Sequence, residues 1–163
     1  MNPPATRDHV IAATHFVLGP TNFLVLRLPG NWDLRIGRNP SDIDYMVEFD
    51  GVRWAREGQA TAFLIDEKAK RAMELDVRTA KGALRAPALE SVQEGSCEIG
   101  GHPATYRLGE TRLGLRKNKP FHVLHVTYRC EETRRSITMK FLARSEPSEL
   151  AALLPVMAGS RCH

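Results

Sequence analysis

Apolar residues in this chain come in short runs, some alternating with polar ones, and each run is closed by turn-forming residues. That is the pattern of strands rather than of long helices. "HVIAATHFVL" and "NFLVLRL" are rich in β-branched and aromatic residues, and "GPTN" lies between them, so the two runs are expected to pair as a β-hairpin. Pro29 and Gly30 in "LPGNW" break the second strand, and "GRNPSD" reads as a loop. "IDYMVEF" then alternates Ile43, Tyr45, Val47 and Phe49 with Asp44, Met46 and Glu48, predicting a half-buried strand that ends in a turn at Asp50-Gly51. "ATAFLID" is a further strand candidate. From Glu67 to about Ala83, Ala69, Ala72, Met73 and Ala80 recur at helical spacing and predict a crossover helix, with a short strand at "LDV" as the competing reading.

The last third predicts an antiparallel meander. "SCEIGG", "HPATYRLG", "FHVLHVTYRC" and "RSITMKFLA" are strand candidates joined by short polar turns. Val123, His125, Thr127 and Arg129 share one face, and Leu124, Val126, Tyr128 and Cys130 the other. "SEPSELAALLPVM" has Ser145 or Ser148 to cap a helix, Pro147 near its first turn and an apolar run behind, while Pro155 shortens or kinks it. The expected class is therefore α+β, a mainly antiparallel sheet with flanking helices. Residues 1–163 are expected to form one domain, with 1–8 as a flexible tail.

Composition narrows the setting. The chain has 163 residues, 42% of them hydrophobic and 26% charged, enough to bury a core. It has no apolar run long enough to span a membrane, and "MNPPATRDHV" lacks the apolar stretch of a secretory signal, so an intracellular, cytoplasmic location is expected. The net charge of +4 is unevenly spread. Residues 1–100 carry 12 basic against 14 acidic side chains, and residues 101–163 carry 11 against 5. Positive charge of this kind suits an acidic partner such as nucleic acid, or simply a solvated face. The dense stretch "RLGLRKNKPFH" holds Arg116, Lys117 and Lys119 near an expected hairpin tip, and Arg129, Arg134 and Arg135 flank the next turn. These six are the candidate contact surface for an unidentified protein partner or, alternatively, for nucleic acid. The aromatic-basic alternation of an RNA-stacking sheet is missing.

The chemistry concentrates at "GSRCH". Its Cys162 and His163 follow a helix whose apolar face, Leu150, Leu153, Leu154 and Met157, could carry them back to the sheet end at Cys130. Three outcomes stay open at this point. Cys130 and Cys162 could form a disulfide, for which their Cα atoms must lie within about 7 Å. Cys130, Cys162, His163 and His102 could hold a metal. Cys130 could also be a free buried thiol. Cys97 is expected to stay unpaired.

Two resemblances bear on these residues. "NFLVLRLPGNW" resembles the opening strand of PsbP-like α/β/α sandwich proteins, and "IGGHPATYRLG", "YRCEETRRSITMKF" and the final "CH" resemble uncharacterised proteins of thermophilic archaea placed in or near that fold. This resemblance implies an interaction protein more than an enzyme and names no ligand; the expected reading is a non-catalytic binding module, and no cofactor is expected. "SDIDYMVEFD" resembles the metal-binding strand of minimal nucleotidyltransferases, in which carboxylates spaced like Asp42 and Asp44, with a third such as Asp76, hold Mg²⁺ for an enzyme. The Gly-Ser that grips phosphates in that family is replaced here by Gly30-Asn31.

Overall fold

The structure is a computed structural model that describes residues 5–15, 17, 19–35, 53–113 and 120–163. The first two strands are β1 (Thr6–His15) and β2 (Gly19–Pro29), paired antiparallel as the hairpin expected from their apolar runs. Then follow β3 (Asp33–Arg35), β4 (Gly58–Asp66), β5 (Arg71–Ala80), β6 (Glu90–Ile99), β7 (His102–Arg112), β8 (Pro120–Cys130) and β9 (Arg135–Ala143). These seven form one antiparallel sheet in the order β3-β4-β5-β9-β8-β7-β6. The meander expected after residue 95 is its second half. The expected strand over 43–49 lies outside the described residues.

The α+β class and the PsbP-like α/β/α sandwich are not what the chain adopts. The described residues are nearly all antiparallel β in two sheets, and helix is confined to α1 (Pro147–Ala151) and α2 (Leu153–Met157), five residues each. The likeness to thermophilic archaeal proteins depended on that fold and falls with it. The expected crossover helix is instead the β4–β5 turn and β5. Met73, Leu75, Val77 and Thr79 are buried, while Ala72 before them and Glu74 and Arg78 between them are exposed. That period of two decides the structure, because both edges of β5 find partners in β4 and β9. The helical spacing was carried mostly by alanines, which pack on either face and mark no side. Asp66 holds the turn, accepting hydrogen bonds from the Ala69 amide at 3.0 Å and from Asn31 and Arg71 at 2.9 Å each.

One continuous core joins the inner face of the large sheet to Leu24, Leu26 and Leu28 of β2 and to Leu150, Leu153 and Met157 of the helical turns. The outer face is partly covered by the connection from β5 to β6. Arg129 donates to the Lys81 carbonyl at 3.1 Å and Arg107 to the Pro87 carbonyl at 2.9 Å, so outward arginines of β8 and β7 fasten this crossing. Thr6–Asp8, expected as tail, belong to β1, and Arg7 is ion-paired with Asp33 at 2.7 Å.

The chain end is stitched to both sheets. Glu146, not a serine, occupies the N-cap of α1 and makes no side-chain cap bond, with Pro147 at the first helical position. Ala152 separates the two helical turns, and Pro155, which lacks an amide hydrogen, cannot donate back to the preceding turn. Beyond them Arg161 pairs with Val25 of β2 through two backbone hydrogen bonds of 2.8 Å, the Arg27 amide donates to Ser160 Oγ at 2.9 Å, and the Gly100 amide donates to the Ala158 carbonyl at 3.0 Å.

Candidate metal centre

Four side chains meet where the tail crosses the end of the large sheet. Cys130 is the last residue of β8, on the inward parity of Leu124, Val126 and Tyr128, and it is buried. His102 opens β7 directly after a turn of Gly100 and Gly101, whose φ values of 56° and 82° suit the tight reversal between paired Ile99 and His102. Ala104 lies opposite Tyr128. Continuing that antiparallel register by two residues brings His102 beside Cys130 on the same face. Cys162 is buried and His163 exposed, delivered by the anchored tail.

The ligand atoms of His102, Cys130, Cys162 and His163 all lie within 4.8 Å of one another. Cys162 Sγ is 3.3 Å from His102 Nε2 and 3.4 Å from His163 Nδ1, and Cys130 Sγ is 3.6 Å from His163 Nδ1. The two sulfurs are placed as a disulfide with Cα atoms 6.5 Å apart. His102 stacks on Tyr128 at 6.1 Å between ring centroids and meets His163 edge-on at 5.6 Å. Burial pushes the Tyr128 hydroxyl well above its ordinary pKa, keeping this neighbour neutral. Cys97 is the free cysteine, and burial raises its thiol pKa too.

Arg135 is corrected from contact residue to interior scaffold. It is fully buried, and its guanidinium donates to the carbonyls of Ala55 at 2.8 Å, Phe23 at 2.5 Å and Cys162 at 3.0 Å, and to Thr133 Oγ1 at 3.0 Å. It thereby fixes the backbone of one ligand residue. Arg129 and Arg134 are exposed, Arg129 paired with Glu131 at 3.3 Å and Arg134 in the β8–β9 turn with φ 53°. Arg116, Lys117 and Lys119 lie outside the described residues, as do Asp42 and Asp44 of the nucleotidyltransferase reading. Asp76 sits on β5, ion-paired with Arg78 at 2.9 Å and accepting a hydrogen bond from the Gln59 amide.

Among the described residues no helix is long and apolar enough to cross a membrane. The sequence matches no family model and no curated protein, and the fold matches no solved structure.

Proposed function

We propose that this chain is a non-catalytic binding module whose β-scaffold holds one transition-metal ion of the zinc class through His102, Cys130, Cys162 and His163. The observation that carries this reading is the convergence of the four ligand atoms within 4.8 Å. Around tetrahedral Zn²⁺, bonds of about 2.3 Å to sulfur and 2.0–2.1 Å to nitrogen put a sulfur and a nitrogen about 3.6 Å apart. The sulfur–nitrogen separations of 3.3, 3.4 and 3.6 Å lie close to that edge length. Two thiolates and two imidazoles select zinc, cobalt or cuprous copper over magnesium or calcium, which take oxygen ligands. Four protein ligands leave no open position for a substrate, so the site fits structural binding rather than catalysis.

The test is addition of Co²⁺ to the phosphine-reduced full chain. The expected result is one Co²⁺ per chain, with the visible absorption of tetrahedral cobalt and a thiolate charge-transfer band, both displaced by Zn²⁺. His102→Gln should weaken binding, and Cys130→Ser should also remove charge-transfer intensity, while far-ultraviolet circular dichroism confirms that each variant remains folded. A folded, reduced protein that leaves Co²⁺ with the spectrum of its hydrated ion would overturn the reading.

A further inference from the structure

We propose that this site is redox-gated: Cys130 and Cys162 form a disulfide that excludes the metal, and a dithiol reductant converts it to the metal-binding state. The proposal rests on the metal-binding reading and adds its regulation. Both states fit one backbone. The Cα separation of 6.5 Å lies within the range of about 4.4–6.8 Å that a disulfide bridges without backbone movement. Around a tetrahedral zinc the same two sulfurs would stand about 3.8 Å apart, a difference that side-chain rotation can supply. The states exclude each other because a sulfur–sulfur bond consumes both thiolates. Only His102 and His163 then remain as ligands.

The two imidazoles connect the chemistry of the states. A purely structural disulfide has no use for ring nitrogens at 3.3–3.6 Å from its sulfurs, whereas the two thiolates freed by reduction find both imidazoles already within ligand-set distance. The conversion balances. A thiolate of the reducing dithiol attacks Cys162 Sγ, breaking the bond to Cys130 Sγ and releasing it as a thiolate, with a mixed disulfide left on Cys162. The second thiol of the reductant, deprotonated, then attacks its own sulfur in that mixed disulfide, forming the reductant's cyclic disulfide and freeing Cys162 as a thiolate. Two electrons have passed to the protein, and the two protons of the dithiol are left on the protein thiols or in water. Metal binding takes up both thiolates and displaces any protons they carry. Cys162 is assigned as the attacked sulfur because it lies on the tail, whose backbone bonds to Val25 and Gly100 can open while β8 stays paired on both edges. Cys130 lies in the sheet and follows only when the sheet opens.

The closing experiment compares Zn²⁺ affinity, measured against a chromogenic chelator, for the full chain in three forms: air-oxidised, reduced by a dithiol and returned to metal-free buffer, and Zn²⁺-loaded then treated with a disulfide oxidant. The reduced form is expected to bind more tightly than the oxidised by at least about a hundredfold, more than the tenfold to hundredfold typical of losing an outer-shell partner. The oxidant should release one Zn²⁺ for each Cys130–Cys162 cross-link found by peptide mass spectrometry. In the variant carrying Cys130→Ser and Cys162→Ser, oxidation should change nothing. Equal affinity in oxidised and reduced forms, or Zn²⁺ retained while the cross-link forms, overturns the gating and leaves the metal reading standing. Failure of the reduced form to bind Zn²⁺ overturns both.

Discussion

Arg135 is the residue on which the site's placement turns. A guanidinium offers five donors in a planar fork, and here they reach three backbone carbonyls from three separate segments while its Cζ lies 5.3 Å from the centroid of the Trp54 ring. Burial lowers its pKa to about 10, which still leaves it charged at neutral pH. Arg135→Ala is expected to cost at least about 2–3 kcal/mol, because buried carbonyls left without a donor cost about 1–3 kcal/mol each, as read by urea denaturation. Arg135→Lys should recover only part of this, because an ammonium cannot span three carbonyls. A loss under 1 kcal/mol in the Ala variant, roughly the scale of a surface substitution, would show that the fork is not structural. Its interior position was readable: in "RSITMKFLA" Arg135 shares parity with Ile137, Met139 and Phe141, all buried. A charge next to a turn suggested surface, and the alternation, the stronger signal, pointed inward. The ligand cysteines and histidines were legible as a set, since their chemistry is rare in this composition, but only the register of β7 on β8, with Ala104 opposite Tyr128, brings His102 beside Cys130.

At the scale of elements, pairing across the sheet builds features no single strand displays. Glu94, Arg107, His125, Lys140 and Asp76 form a row across β6, β7, β8, β9 and β5 on the outer face. Burial, then the charges of Arg107 and Lys140, lower the His125 pKa from 6.5 to about 4. Between those values the unfolded chain binds a proton that the folded chain refuses. The stability contributed by neutral His125 is therefore complete above pH 6.5 and is lost as pH falls toward 4, by up to about 3 kcal/mol. His9, also lowered by burial, adds a slope of the same sign. Urea midpoints measured from pH 4 to pH 7 should rise with pH, and His125→Gln should flatten part of the rise; an unchanged slope in that variant would remove His125 from the account. The β6–β7 turn is a second such feature. A Cβ at Gly100 would stand 2.4 Å from the Ser160 carbonyl oxygen, at φ 56°. Gly100→Ala should push the tail off the sheet, weakening Co²⁺ binding and speeding alkylation of reduced Cys162; unchanged rates would mean that the tail docks without this turn. The strand-against-helix error at β5 has the same origin as these features, because the partners that make its period of two decisive are distant in sequence.

For the whole molecule, the tail is one of the segments that tie the β1–β2 hairpin to the large sheet, beside the 53–55 segment that bonds to Asn22 and the Arg7–Asp33 ion pair. Ser160 and Arg161 bond to β2, while Cys162 reaches Arg135 on β9 and Cys130 on β8. Its docking was foreseeable from an apolar helical face leading into a penultimate cysteine, whereas the bridge to Val25 was not, because one residue of strand pairing leaves no pattern. Removing Ser160–His163 should leave a folded protein, since the sheet ladders and most of the core remain, but a less stable one. The cross-link between residues separated by 32 positions contributes about 3–4 kcal/mol in the chain-entropy picture. In a chain of this size 1 kcal/mol moves the melting temperature by about 2–4 °C, so the oxidised full chain should melt about 10 °C above the truncated one. With reductant and chelator present the cross-link and the metal are both gone, and the gap should shrink to what the backbone bonds and packing supply. Adding Zn²⁺ at about a thousand times its dissociation constant should reopen it by about 4 kcal/mol, in the full chain alone. Calorimetry of both chains under the three conditions checks the pattern. A gap that is the same in all three would assign the tail's stabilising effect to packing and deny the four side chains any part in it.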